Sequence, residues 1–174
     1  MPELVTERLR LVPITLAVVE AFVRGDRAAA EACVGARLPD EWPNEDLIAR
    51  AFPFSLDAIR VAPDVRLWGD SLVLLRDPPP RIVGSVVFHG RPTDGIAEVG
   101  YGVEEGSRGS GLATEATLAC LEWALAQPGI TAVRATTFPW HAASLAVIRK
   151  CGMVPAGTRP HELFGELLVF ERVR

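Results

Sequence analysis

An α+β fold with one sheet and helices on its faces is what this sequence predicts, and three observations predict it. The chain has 174 residues, 49% of them apolar and 23% charged, which suits one globular domain with a substantial core. Strand-like and helix-like runs interleave in the order β, α, α, β, β, β, α, β, α, β, an order that belongs to α+β or mixed folds. One helical run, Leu112 to Ala126, is long, rich in Ala and Leu and free of internal Pro and Gly.

Taken in order, Leu9 to Ile14 alternates well enough to be a first strand, and Pro13 confines it to an edge or an end. Thr15 can cap a helix over Leu16 to Arg24 closed by Gly25, and Asp26 can cap a second over Arg27 to Val34 closed by Gly35. Pro39, Pro43, Pro53 and Pro63 then cut Leu38 to Pro63 into pieces that support only brief helices, around Glu45 to Ala51 and Leu56 to Ala62. Acidic residues and Trp42 gather there. Leu67 to Arg76 and Ile82 to His89 are strand-like and are joined by Asp77-Pro-Pro-Pro80, which can continue neither ladder. Gly90 to Gly95 turns the chain into a third strand, Ala97 to Val103, completing an antiparallel meander. After the long helix come a β-rich strand, Ile130 to Phe138, a short helix, Ala142 to Cys151, stopped by Gly152, and a last strand, Leu163 to Glu171. No repeat, linker or low-complexity segment intervenes, so residues 1–174 read as one domain.

Several function classes are disfavoured. A nucleic-acid binder would show a basic face or stripe, whereas the formal net charge is −4, which suits a cationic substrate better. Cys33, Cys120 and Cys151 are odd in number and form no CxxC, and His89, His141 and His161 share no ligand spacing, so neither a disulfide framework nor a metal is expected. The opening MPELVTERLR puts acids and arginines where a signal peptide needs an apolar core. No apolar run approaches the ~18 residues that cross a bilayer. The expectation is a soluble, cytoplasmic protein with no membrane partner.

The stretch that points to chemistry is Gly106 to Gly111, a glycine-rich turn carrying Arg108 between a strand and a helix. A helix N-terminus leaves N–H groups without intrahelical partners and adds partial positive charge, which together make an anion site. Gly109 and Gly111 permit the amides from Gly109 to Ala113 to converge, and Arg108 adds a fixed charge. A flexible strand-to-helix connection would also use these glycines. A P-loop is disfavoured because no lysine follows them, and a dinucleotide fingerprint because Gly109-x-Gly111 ends in Thr114 with no acidic residue at the end of the next strand.

Arg108-Gly-Ser-Gly-Leu-Ala113 resembles the acetyl-CoA pyrophosphate loop of the GCN5-related N-acetyltransferases (GNAT), R/Q-x-x-G-x-G/A. His141-Ala-Ala-Ser144 through Lys150-Cys-Gly-Met153 resembles that family's second segment, N-x-x-S followed by K-x-G-F. The opening TERLRLVPIT, Val83-Gly84-Ser85, Glu98-Val-Gly-Tyr101 and Ala113-Thr-Glu-Ala116 point to a branch resembling the ribosomal-protein alanine acetyltransferases. The resemblance implies a mostly antiparallel sheet with splayed strands and helices on both faces, acetyl-CoA as co-substrate, and direct attack by a primary amine on the thioester. The amine would be a protein N-terminal α-amine or a small cationic amine, met by a rim at Pro39 to Asp46 that includes Trp42. By the same resemblance Arg108, Gly109, Ser110, Gly111, Leu112, Ala113 and Thr114 hold the cofactor. Backbone groups near Val103 bind its pantetheine as an added strand, with Gly100 and Gly102 allowing close approach.

For catalysis the resemblance puts a carboxylate near the acceptor at Glu98, a candidate base acting directly or through water; a solvated strand carboxylate would look the same. An α-amine demands less of that base than a lysine amine, whose proton costs about 3 kcal/mol more to remove at neutral pH. Many members carry a tyrosine general acid where this chain has Ile148, and its single tyrosine, Tyr101, lies on an earlier strand. The ribosomal-protein-like branch offers a serine instead, here Ser144, which could equally be ordinary first-turn helix chemistry. His141 replaces the family's asparagine at the second cofactor contact, and Met153 its phenylalanine. Glu115, in the first turn of the long helix, reads as structural. A non-catalytic acyl-CoA-binding module is the alternative that Ile148 and His141 keep open, and a homodimer is left open.

Overall fold

The computed structural model describes residues 1–51, 54–161 and 165–174. Leu163 and Phe164, where the last strand is expected to begin, lie outside the described residues, as does Pro53. In chain order the elements are β1 (Leu4–Val5), β2 (Leu9–Pro13), α1 (Leu16–Val23), α2 (Arg27–Val34), α3 (Glu45–Ala51), α4 (Leu56–Val61) and α5 (Pro63–Arg66). Then follow β3 (Ser71–Leu75), β4 (Ile82–Phe88), β5 (Ile96–Val103), α6 (Leu112–Ala126), β6 (Ala132–Thr137), α7 (Ala142–Lys150), β7 (Val154–His161) and β8 (Gly165–Val173). The strands form one sheet in the order β1-β2-β3-β4-β5-β6-β8-β7. Every neighbouring pair is antiparallel except β5 with β6.

Capping explains the early helices. Thr15, Asp26 and Ser55 accept from the N–H of Val18, Ala29 and Ala58, and Gly35 closes α2 in the left-handed region at φ 67°. Helices cover both faces of the sheet. Leu9, Leu11, Val73, Phe88 and Val99 pack with α6 and α7 on one face, while Leu72, Leu74, Ile82 and Val87 pack with α1, α2 and α4 on the other. Because both faces are covered, β3 is buried at four successive positions rather than alternately.

The structure corrects the expectation at three strands and adds the one-turn helix α5. The strand expected over Leu67 to Arg76 begins only at Ser71, because Gly69 turns the chain at φ 80° and a Cβ there would lie 2.5 Å from the Phe88 ring. That glycine fits beneath an aromatic cluster in which the Trp68 ring centroid lies 5.1 Å from Phe88 and 4.8 Å from Trp123. Two strands were not expected. β1 is only two residues long, and β7 contains Pro155, Gly157 and Pro160, which disguise it as a loop; it is an exposed edge strand, where missing donors are tolerated.

Asp70 is almost fully buried and accepts the N–H of Phe88 at 2.6 Å, satisfying a donor that lies beyond the last β3–β4 pair, Ser71 with Val86. Burial pushes its carboxyl well above the usual carboxylate range, against the lowering effect of the Phe88 bond. Since the folded pKa is raised, the stability this group contributes is present below pH ~4 and is lost as pH rises toward the folded pKa. Asp70→Asn keeps an acceptor for Phe88 and removes the titration. Chemical denaturation at stepped pH should therefore show the wild type losing stability relative to the variant across that window, by at most about 1.4 kcal/mol per pH unit. Parallel curves would remove Asp70 as the cause.

Candidate active site

β5 and β6 separate soon after they meet. Their parallel pairing comprises Ile96 with Ala132, Ala97 with Val133 and Glu98 with Arg134. On its other edge β5 stays paired with β4 from Val99 to Val103. Glu98 C=O accepts from His89 N–H and Glu104 N–H donates to Val83 C=O, so even-numbered backbone groups face β4. By the alternation of an antiparallel ladder, those of Val99, Tyr101 and Val103 face the opening gap. An extended chain laid there can pair with them as a further strand.

The glycine turn sits at the end of this strand. Glu104 folds its first part, accepting Gly106 N–H at 2.7 Å and Arg81 Nη1 at 2.9 Å together with the Ser107 hydroxyl. The Ser107 bond foremost, with Arg81 and Gly106 adding to it against burial, holds the Glu104 carboxyl below its ordinary range. A 3-10 turn over Glu105–Ser107 follows, then Arg108 in extended conformation and Gly109 and Gly111 at φ 77° and 83°. α6 differs from α1, α2 and α4 in having no side-chain cap. Its first intrahelical bond runs from Glu115 N–H to Gly111 C=O, so Leu112, Ala113 and Thr114 present N–H groups with no helical partner. A Cβ at Gly109 would meet nothing within 4 Å. Open glycine backbone, an uncapped fifteen-residue helix and the exposed Arg108 beside it fit a diphosphate.

A brace from the N-terminus holds this turn. Glu115 Oε1 accepts Thr6 Oγ1 at 2.5 Å and Arg8 N–H at 2.9 Å, and its Oε2 accepts Arg8 Nε at 2.7 Å. Arg8 Nη1 also donates to Ser110 C=O at 2.9 Å. Burial raises the Glu115 carboxyl, but the bonds from Thr6 and Arg8 outweigh it and hold the group below its ordinary range. The structural reading of Glu115 thus acquires two partners that the sequence does not disclose.

A cleft of about 800 Å³ runs from Arg108 to Trp42. Ser85, Val87 and His89 of the β4 side and Gly100 and Gly102 of β5 line it, and the segment Pro39 to Asn44 forms its opposite wall with Asp40 and Glu41. A Cβ at Gly102 would enter open space, consistent with a floor that something approaches closely. His141 lines the cleft at the start of α7 without capping the helix by its side chain. Ser144, one helical turn on, is half-buried. Ile148 is fully buried core, so no hydroxyl occupies that position.

The single tyrosine reaches this place from the strand. Tyr101 Oη lies 3.0 Å from Ser144 Oγ and donates to Ser144 C=O at 3.1 Å. Burial foremost pushes its pKa up to about 12, so it stays a protonated donor at working pH. Glu98 is differently placed. It is half-buried, accepts Arg159 Nη2 at 3.1 Å and Thr136 Oγ1 at 3.3 Å, and stands 4.0 Å from His89 Nδ1. The structure therefore groups Val103, Arg108 and His141 along one cleft, brings Ser144 to Tyr101, and sets Glu98 behind His89. The contacts of Tyr101 and His89 escaped sequence reasoning because they depend on strand register; only the hairpin loop Gly90 to Gly95 carries a trace of it. Among the described residues no group of three or more His, Cys, Asp or Glu side chains could hold a metal ion, and no helix is long and apolar enough to cross a membrane.

A splayed sheet of this kind, with a glycine turn leading into an uncapped helix at the mouth of the splay, is shared with solved acetyltransferases. An acetyltransferase from Agrobacterium tumefaciens str. C58 superposes with a TM-score of 0.65 over 100% of this chain and 95% of its own, at 24% identity. RimL, a ribosomal L7/L12 α-N-protein acetyltransferase solved in complex with coenzyme A, gives 0.61 over 98% and 96% at 16% identity. An uncharacterized N-acetyltransferase of Bacillus subtilis (strain 168), YjdG, is 28% identical over 150 residues, 86% of this chain and 88% of its own. Residues 8–154 match the model of the acetyltransferase (GNAT) domain, and the chain belongs to that family. It is accordingly an acetyl-CoA-dependent acetyltransferase.

Proposed function

We propose that this protein transfers the acetyl group to a primary amine, either a protein N-terminal α-amine or a small cationic amine, bound in the cleft between Trp42 and β5. The observation that supports this most is the cleft itself, whose far wall carries Asp40, Glu41 and Trp42 while its other end meets the glycine turn. Acidic groups and an aromatic face favour a cation. Acetyl-CoA, when bound, supplies an acetyl group activated as a thioester. The chain's own groups then have three tasks. Arg108 and the N–H groups from Gly109 to Thr114 hold the diphosphate, with His141 beside them and the backbone of Val103 along the arm. Glu98 supplies the negative charge for acid–base work on the amine. Ser144, held by Tyr101, offers a hydroxyl to the departing sulfur. Residues 1–174 act as one unit in this reading.

The test is to mix the protein with acetyl-CoA and a panel of amines, including peptides with free N-termini, lysine peptides with blocked N-termini and polyamines, while free thiol is monitored. Thiol release that depends on one amine class is expected. Tight coenzyme A binding without amine-dependent release would overturn the reading. In the same assay Ser144→Ala should lower turnover by about 10²-fold or more with coenzyme A affinity unchanged, since a positioned proton donor is typically worth about 10² to 10⁴. A wild-type rate would make the hydroxyl a helix-end contact only.

A further inference from the structure

We propose that His89, rather than Glu98 directly, takes the proton from the acceptor amine, with Glu98 as the carboxylate that orients it. This rests on the cleft being the acceptor site. His89 follows β4 and stands directly opposite Glu98 on β5, its N–H donating to Glu98 C=O at 3.1 Å. Cross-strand partners share a face of the sheet, which brings Nδ1 to within 4.0 Å of Glu98 Oε1. The imidazole lines the cleft with 38% of its side chain exposed, whereas Glu98 does not reach the cleft surface. Gly100 lies beside the imidazole, and a Cβ there would come into van der Waals contact with His89 Nε2 at 3.5 Å.

Glu98 is poorly suited to act alone. Arg159 binds both of its oxygens, at 3.1 and 3.4 Å, and Thr136 binds Oε1. Three donor contacts already occupy its oxygens, and it does not line the cleft where an amine would sit. Imidazole is the side chain that ordinarily titrates nearest neutrality, which suits a general base. The titratable and charged groups around it are Glu98 on β5 with Arg159 of β7 behind, Tyr101 further along β5, Asp40 and Glu41 across the cleft, His141 at the start of α7, and Glu104, Glu105 and Arg108 at the far end. As the C–N bond forms and the C–S bond breaks, the amine proton passes to Nε2. The imidazolium charge is offset by Glu98, the sulfur takes a proton from solvent or from the Ser144 hydroxyl, which in that case regains one from solvent, and His89 returns its own proton to solvent at the cleft mouth.

The experiment compares wild type, His89→Gln and Glu98→Gln with spermidine and a serine-initiated tetrapeptide as acceptors. Expected for His89→Gln is a loss of about 10²-fold or more in kcat/KM with the acidic limb of its pH profile abolished, while calorimetric coenzyme A affinity is unchanged. Glu98→Gln should lower kcat/KM less and keep the limb. Independently of turnover, the His89 imidazole NMR signal, assigned by its loss in His89→Gln, should move when amine is added to coenzyme A-saturated wild type. A limb that survives in His89→Gln, or that Glu98→Gln alone abolishes, overturns the role of His89 and leaves the acetyl-transfer reading standing. A wild type that binds coenzyme A but neither acetylates an amine nor shows the NMR shift overturns the acceptor reading and this proposal with it.

Discussion

Arg108→Glu should weaken coenzyme A binding by roughly 10² to 10³-fold in a calorimetric titration while leaving the thermal midpoint nearly unmoved. The side chain is exposed, and among the described residues it makes no ion pair or side-chain hydrogen bond, so the fold does not depend on it. Binding does, if the glycine turn holds a diphosphate. A hydrogen bond to a charged group contributes about 1.5–3 kcal/mol, and the reversed charge adds repulsion to a rim where Glu104 and Glu105 are already acidic. Each 1.4 kcal/mol is a factor of ten in affinity. Raising the salt concentration should narrow the difference, because exposed charges are screened. Unchanged affinity would detach the turn from the diphosphate and remove the basis of the cofactor site.

Gly84→Ala should destabilise the protein by roughly 3 kcal/mol or more and disturb the same cofactor at another point. A Cβ at Gly84 would lie 2.2 Å from Gly102 C=O and 2.9 Å from Val103 Cα, both backbone atoms of the neighbouring strand. No rotamer can relieve such a clash, so β4 and β5 must part. For a protein of this length that corresponds to a fall in thermal midpoint of about 6–12 °C. The displaced backbone includes Val103, whose outward groups face the gap, so residual folded protein should also bind coenzyme A more weakly. Gly102→Ala is the control: its Cβ would enter open space, and its stability should stay within about 1 kcal/mol of wild type. Equal stability of Gly84→Ala and wild type would show that the two strands are not held at this separation.

Much of this architecture is legible in the residues wherever local chemistry decides it. Thr15 and Asp26 begin helices because their side chains serve nearby N–H groups, and Leu112 to Ala126 is a helix to the residue because nothing within it competes. The glycine turn is legible for the same reason: an anion site made of backbone announces itself by glycines. What was not legible depends on partners far along the chain. β7 carries two prolines and a glycine, and only its place beside β8 makes it a strand. Likewise Tyr101 and Ser144 are 43 residues apart, His89 meets Glu98 through a hairpin register, and Arg8 braces Glu115 across 107 residues. Side-chain identity gave the candidates, and tertiary register decided which of them meet.

The three-pair junction between β5 and β6 has a mechanical consequence. The sheet is in effect two ribbons fastened by a short seam, with α6 laid across both as a splint through Ala97 and Val99 on one side and Val133 and Ala135 on the other. Beyond the seam the ribbons share no ladder, and the wedge between them is crossed by the side-chain bonds of Tyr101 with Ser144 and of Thr136 with Glu98. An edge left unladdered in the middle of a sheet can take in a long slender guest without any existing strand pair having to part.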